Sequence, residues 1–142
     1  MSLDNEPVKT SFALRTAKEY YPEDKYNHAI RVMQYVAEND MIPYEYKEEC
    51  VSLAIMHDLI EDTNYTGSGL PDFFCRALKL LTKPKDKDYI KYIKDIKNTG
   101  YINWRMCAYW VKLADMKDHL AQTETLTDKL KDKYLKALPY LL

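Results

Sequence analysis

The chain has 142 residues, of which 46% are hydrophobic and 30% charged, a composition typical of a globular domain rather than a disordered chain. Lys and Arg number 21 against 22 acidic residues, so the net charge of −1 provides no bulk attraction for nucleic acid or an anionic membrane. The three glycines cannot form a Walker-type or GxGxxG phosphate loop, so phosphate chemistry would need side chains or a metal. We expect a single domain over residues 1–142.

The cysteines and the N-terminal sequence bear on the cellular compartment in which the protein folds. The three cysteines, Cys50, Cys75 and Cys107, are odd in number and include no CxxC pair, which disfavours a disulfide scaffold and favours a reducing environment. The first ten residues have no apolar signal core, and no run approaches 18 apolar residues. We therefore expect a cytoplasmic protein that binds neither nucleic acid nor membrane.

Helical periodicity of apolar residues extends along most of the chain. Together with the positions of Pro and Gly, it predicts helices over about 11–20, 22–39, 43–62, 71–83, 86–99, 102–121 and 128–141. Gly100 is the expected stop of the fifth helix, and the sixth is expected at the centre because it is apolar on most sides. No alternating strand pattern of useful length occurs. The predicted fold is a compact all-α bundle of six to seven helices.

The most informative segment is HDLIEDT, residues 57–63, which follows an apolar run. His57 and Glu61 are four residues apart, as are Asp58 and Asp62, so on one continuous helix these groups would occupy one or two adjacent columns. Three carboxylates so close together repel one another unless they face solvent or a cation. The spacing therefore indicates either an exposed helix end or a cation site.

Two further residues supply matching chemistry from other helices. His28 lies at the edge of the inward stripe of the second helix, and Asp115 continues an apolar row in the sixth helix that includes Trp104. A buried carboxylate needs a partner. Imidazole and carboxylate together suit a divalent transition metal, and His28, His57, Asp58 and Asp115 as ligands would leave positions for water and substrate.

Each of these residues alone also has a structural explanation. A single helical histidine is usually a satisfied structural residue, and Asp115 could pair with a cation from another helix. Three chemically matched elements, in the order His, His-Asp, Asp, favour the metal site. Glu61 and Asp62, one turn further along, could then hydrogen bond an activated water or move its proton.

The order His28, His57-Asp58, Asp115 resembles the HD superfamily of metal-dependent phosphohydrolases. The segments MHDLIEDT and VKLAD are similar to the hydrolase domain of the Rel/Spo alarmone enzymes and their small stand-alone relatives. The resemblance spans residues 25–119. It implies an HD-domain-like fold, release of the 3′-pyrophosphate of (p)ppGpp, and a divalent metal, Mn²⁺ being typical of the family.

The resemblance also implies roles for residues. The two histidines and two aspartates of the motif would bind the metal, while Glu61 and Asp62 would position and activate the nucleophilic water. His119 occupies the place of the Asn that contacts substrate in the family, and the stretch before His28, EYYPEDKYNH, lacks the family's Gln, Gly and Arg residues. Arg31 and Lys112 lie close in sequence to predicted ligands and are expected phosphate contacts.

The predicted function is metal-dependent hydrolysis of a small nucleotide, with guanosine 3′,5′-bis(diphosphate) as the first substrate. One alternative is a 5′-nucleotidase or another nucleotide phosphomonoesterase of the same superfamily, which would share the four ligands. A second is a helical module that binds metal or nucleotide without turnover.

Overall fold

The computed structural model describes residues 7–98 and 103–142, with side chains described outside 103–105. In these ranges the chain contains seven α-helices of at least nine residues, one single-turn helix and no strand, so the all-α prediction is confirmed. The elements are α1 Thr10–Tyr20, α2 Glu23–Glu38, α3 Tyr44–Met56, α4 Leu59–Asp62, α5 Asp72–Leu81, α6 Tyr89–Lys97, α7 Asn103–Ala121, α8 Asp128–Ala137 and a 3₁₀ turn Leu138–Tyr140.

Two helices form the centre of the bundle. α3 packs against α1, α2 and α7, while α7 also contacts α2 and α5. The last turn of α3 is a run of fully buried side chains, Leu53 to Met56, as expected for a helix covered on all sides. The predicted central position of α7 agrees with its buried Ala108 and Val111, whereas the side chain of Trp104 lies outside the described set. This packing brings α2, α7 and the end of α3 together.

The predicted helix over 43–62 is wrong as a single element, because it breaks at His57 and Asp58. The His57 ring bonds through Nδ1 to the carbonyl of Ala54 at 2.6 Å, which the amide of Asp58 would use in a continuous helix. The Asp58 amide donates instead to the Tyr21 hydroxyl at 3.0 Å. Asp58 has φ −102° and ψ 2°, between the α and β regions. In a continuous helix, neighbouring side chains point about 100° apart around the helix axis. The break removes this constraint from His57 and Asp58.

Two other predicted boundaries shift for local reasons. The helix predicted over 86–99 begins at 89, because the Asp88 side chain caps it by accepting the Lys91 amide at 3.1 Å. The final helix changes to a 3₁₀ turn at its end, where Pro139 has no amide hydrogen to donate. The expected stop at Gly100 lies outside the described residues.

Candidate metal centre

The structure brings the four predicted ligands to one place. His28 comes from α2, Asp115 from α7, and His57 and Asp58 from the break between α3 and α4. One nitrogen or oxygen of each lies within 4.8 Å of those of the other three. Asp115 Oδ1 is 2.8 Å from His28 Nε2 and 3.1 Å from His57 Nε2, and Asp58 Oδ2 is 3.1 Å from His57 Nε2. Two imidazoles and two carboxylates therefore converge beside the break between α3 and α4.

The second nitrogen of each imidazole has its own partner. His57 Nδ1 must be the donor in its bond to Ala54, because a carbonyl oxygen only accepts. His28 Nδ1 is 2.6 Å from Asp118 Oδ2, a carboxylate oxygen. Histidine ligands in proteins characteristically donate the other ring N–H to a carbonyl or carboxylate, which fixes the tautomer and turns the Nε2 lone pair toward the metal. The donor set and its support therefore fit a divalent transition ion.

Asp118 is a supporting residue that the sequence reasoning missed. It is fully buried and accepts hydrogen bonds from His28 and from Arg31 Nε, the latter at 2.9 Å. Burial opposes ionisation, but the bonds from Arg31 and His28 outweigh it and lower the pKa of Asp118. Its position three residues after Asp115, on the same face of α7, was the available signal. Arg31 lines the cavity, and its contact with Asp118 orients His28 indirectly.

Lys112 is placed against the outer oxygen of Asp115. Its ammonium lies 2.9 Å from Asp115 Oδ2, and both side chains are largely buried. Burial opposes ionisation of Asp115, but Lys112 and three imidazole hydrogen bonds hold the pKa of Asp115 well below its usual range. The attraction of Asp115 likewise overcomes burial and keeps the pKa of Lys112 well above its ordinary value. Lys112 therefore keeps Asp115 anionic, whereas its predicted contact with phosphate stays a prediction.

The histidines have raised pKa values. Burial of the His57 ring disfavours its charged form, but the charge of Asp58 and the hydrogen bond to Asp115 place the pKa of His57 well above its ordinary value. The same opposition between burial and Asp115 leaves the pKa of His28 raised. A divalent cation at this place would therefore compete with protons for the same nitrogen lone pairs.

Glu61 and Asp62 border the cavity beside the four ligands. Burial, followed by the charges of Asp58 and Asp62, raises the pKa of Glu61, as suits a group that exchanges a proton near a reacting water. Asp62 accepts a bond of 3.2 Å from Lys25, a cavity residue that the sequence reasoning did not single out. Of the two predicted water-handling residues, Glu61 is the one without this ion pair.

A cavity of about 600 Å³ opens over the ligand group, a volume that suits a small molecule. Its lining includes Tyr89, Tyr92 and Tyr134, which provide aromatic surface. Lys83 and Lys133 also line it, and the Lys133 ammonium lies 4.3 Å from the centre of the Tyr89 ring. Cations and aromatic rings beside a metal-ligand group are suited to a phosphorylated, ring-containing molecule.

His119 also reaches the ligand group. Its Nε2 lies 3.2 Å from Asp115 Oδ1, and its ring stacks on Tyr134 with the two centres 5.0 Å apart. The family resemblance implied that His119 contacts substrate, and the structure places it on the cavity wall, next to the predicted ligand Asp115.

Comparison with known proteins adds no further identification. No family model matches the sequence, and no curated protein matches it. Among the described residues, no helix has both the length and the apolar content needed to cross a membrane. A function for this chain therefore has to be inferred from the chemistry of the cavity residues.

Proposed function

We propose that this chain is a metal-dependent phosphohydrolase of a small nucleotide, with removal of the 3′-pyrophosphate of guanosine 3′,5′-bis(diphosphate) as the first reaction to test. The observation that carries the proposal is the convergence of His28, His57, Asp58 and Asp115 within 4.8 Å, with the other nitrogen of each imidazole hydrogen bonded. The resemblance of these residues, in sequence order, to HD-type hydrolases supports the same conclusion.

The residues around the ligand group have complementary tasks in this proposal. A divalent ion held there would supply Lewis acidity and make water more acidic. Glu61 would accept the proton of the attacking water, a role compatible with its raised pKa. Lys112 holds Asp115 in its anionic form, and Asp118 holds the His28 ring in position. The lysines of the cavity would pair with phosphate oxygens of the substrate.

The first experiment measures hydrolysis of ppGpp by protein stripped with a chelator and reloaded with Mn²⁺, the ion implied by the resemblance. Metal-dependent release of GDP and pyrophosphate is the expected result. Asp58→Ala should lose the metal and all turnover. Glu61→Gln should retain the metal but lose about a hundredfold or more in turnover, because only proton transfer is removed.

Glu49→Gln is the matched control, since it makes the same carboxylate-to-amide change on α3, outside the cavity lining. Its turnover should equal that of the wild type. Wild-type turnover in Glu61→Gln would contradict the proton-transfer role, and full metal content in Asp58→Ala would contradict the proposed centre.

A phosphomonoesterase reaction is the second candidate. The observation that favours it is the sequence EYYPEDKYNH before His28, which lacks the Gln, Gly and Arg residues of the alarmone hydrolases. Release of orthophosphate from nucleoside monophosphates, with ppGpp left intact, would select this candidate. Metal-loaded protein that cleaves no phosphate ester would instead identify a binding module.

A further inference from the structure

Two buried thiols meet where the two central helices pack together. Cys50 lies on α3 and Cys107 on α7, and their sulfur atoms are 2.8 Å apart. The two residues are 0% and 2% exposed, and neither lines the cavity of the candidate metal centre. Non-bonded carbon atoms pack best at about 3.5–4.0 Å, and sulfur is a larger atom than carbon. The two sulfurs therefore lie closer together than ordinary packing would place them.

The positions of the sulfurs suit a disulfide bond between these two residues. Sulfurs in a disulfide are about 2.05 Å apart, so closure needs a relative movement of about 0.8 Å. The remaining cysteine does not compete in the folded chain, because Cys75 lies on α5 and its sulfur approaches the carbonyls of Gly67 and Leu70. Of the three pairings that three cysteines allow, the fold brings one together.

Chain entropy alone would select a different pair. Cys50 and Cys107 are 57 positions apart, which makes theirs the longest of the three possible loops. In an unfolded chain the shorter loop between Cys50 and Cys75 would close about three times more readily. A preference for the Cys50–Cys107 bond would therefore report the packing of α3 against α7.

The two thiols lie on the same helices as ligands of the candidate centre. His57 follows Cys50 by seven residues, and Asp115 follows Cys107 by eight. Each cysteine is therefore about two turns, or about 10–12 Å along its helix, from a predicted ligand. A covalent bond at this level would join α3 to α7 from outside the cavity.

We propose that Cys50 and Cys107 are an oxidative modification site, which hydrogen peroxide converts to a reversible disulfide between α3 and α7. One thiolate attacks the peroxide, and the O–O bond breaks to give a sulfenic acid and hydroxide. The other thiolate attacks the sulfenic sulfur, forms the S–S bond and displaces a second hydroxide. The two thiols thus lose two electrons and two protons, and one peroxide becomes two waters. This inference does not depend on the proposed hydrolase function.

Burial makes this oxidation slow and leaves the thiols as the resting state. The hydrogen bond to Cys107, together with burial, raises the pKa of Cys50, which disfavours the reactive thiolate. Peroxide reaches the pair when the packing of α3 against α7 opens locally. In the reducing environment that the sequence predicts, the bond forms only when oxidant exceeds reductant.

The first experiment exposes Cys75→Ser protein to hydrogen peroxide, without added metal or nucleotide, in urea too dilute to unfold it. The expected product has lost the mass of two hydrogen atoms and yields one peptide that links Cys50 to Cys107. Its melting temperature should rise by about 5–15 °C, and dithiothreitol should reverse the rise. Adding Cys50→Ala as a matched control should abolish the link and the rise. Thiols that stay free, or that become sulfinic acids without a link, would overturn the proposal.

The second measurement removes access of the oxidant as a factor. Reduced, unfolded wild-type protein is refolded in a mixture of reduced and oxidised glutathione, and its disulfides are mapped by mass spectrometry. The Cys50–Cys107 bond should exceed each other pairing by about tenfold or more, whereas in concentrated urea the Cys50–Cys75 bond should lead by about threefold. Equal pairings in the refolded protein would overturn the proposal. Because metal and nucleotide are absent from both experiments, failure here leaves the hydrolase proposal untouched, and loss of hydrolysis leaves the disulfide result untouched.

Discussion

The Tyr21 hydroxyl offers a single-atom test of how the helix break supports the ligand group. It accepts the Asp58 amide at 3.0 Å, and the Tyr21 side chain is buried. Burial and the nearby Asp58 carboxylate raise the pKa of Tyr21, so the hydroxyl stays protonated. Tyr21→Phe removes only this oxygen and leaves the Asp58 amide without its partner.

The expected loss in the free energy of unfolding follows from the bond between the Asp58 amide and the Tyr21 hydroxyl. The Asp58 amide is partly buried, so the loss of its acceptor should cost at most about 1–3 kcal/mol, the range for a fully buried N–H, which in a chain of this length corresponds to a fall of at most about 3–12 °C in the melting temperature. If displacement of the Asp58 carboxylate reduces the free energy of metal binding by about 1 to 2 kcal/mol, the dissociation constant for metal should rise about 5- to 30-fold. Tyr21→Phe should therefore weaken stability and metal binding together.

Tyr109→Phe is the matched control. The Tyr109 hydroxyl donates to the Leu141 carbonyl at 2.7 Å, outside the cavity lining. Thermal unfolding and calorimetric metal titration should show a comparable loss of stability in Tyr109→Phe, with metal affinity within twofold of the wild type. Equal metal affinities in the two variants would refute the argument that the Tyr21 contact positions Asp58.

Two further predictions concern protons and thiols. Metal affinity should fall as pH is lowered, because neighbouring carboxylates, against the effect of burial, raise the pKa of His28 and His57 above 6.5. In metal-free protein, the protonated His28 and His57 make their full contribution to the free energy of unfolding below about pH 6.5. Thermal unfolding should show that this contribution is lost as the pH rises through the raised pKa values of the two histidines. Cys75 should react with Ellman's reagent faster than Cys50 and Cys107, because it is partly exposed while they are buried. The hydrogen bond that Cys50 donates to Cys107, together with burial, also raises the pKa of the Cys50 thiol.

A specific result would contradict each of the two predictions, on pH and on thiol reactivity. A metal dissociation constant that does not change between pH 6 and 9 would contradict competition between protons and metal at the two histidines. Three thiols that react at one rate in the native protein would contradict the burial of Cys50 and Cys107.

The positions of the helices could be predicted because they depend on the periodicity of apolar residues and on nearby Pro and Gly residues. Of the apolar stripe predicted on α2, Ala29 and Val36 are buried in the structure, whereas Ala37, at the end of the helix, is exposed. The break after Met56 could not be predicted in this way. It depends on the His57 ring turning back to its own helix and on a hydroxyl from α1, a contact 37 residues distant in sequence.

The same distinction holds for the candidate site. The convergence of His28, His57, Asp58 and Asp115 could be predicted because carboxylates and imidazoles are uncommon at inward positions and their chemistry matches. Lys25 carried no such signal, because an exposed lysine near a helix start is ordinary until tertiary packing places it against Asp62. His119 was singled out from the sequence, but its place between Asp115 and the ring of Tyr134 is set by the packing of α8 against α7.

The ligand group joins parts of the chain that are made far apart in time. His28 and Asp115 are separated by 87 positions, and His57 and Asp115 by 58. During synthesis, an emerging chain that ends before α7 would carry only three of the four ligands and none of the Lys112 or Asp118 support. Capture of an ion would then come after α7 docks, so metal loading would report that the bundle has closed. An ion bound at that point would also lock together helices from both halves of the chain, which makes it a late cross-link of the completed fold.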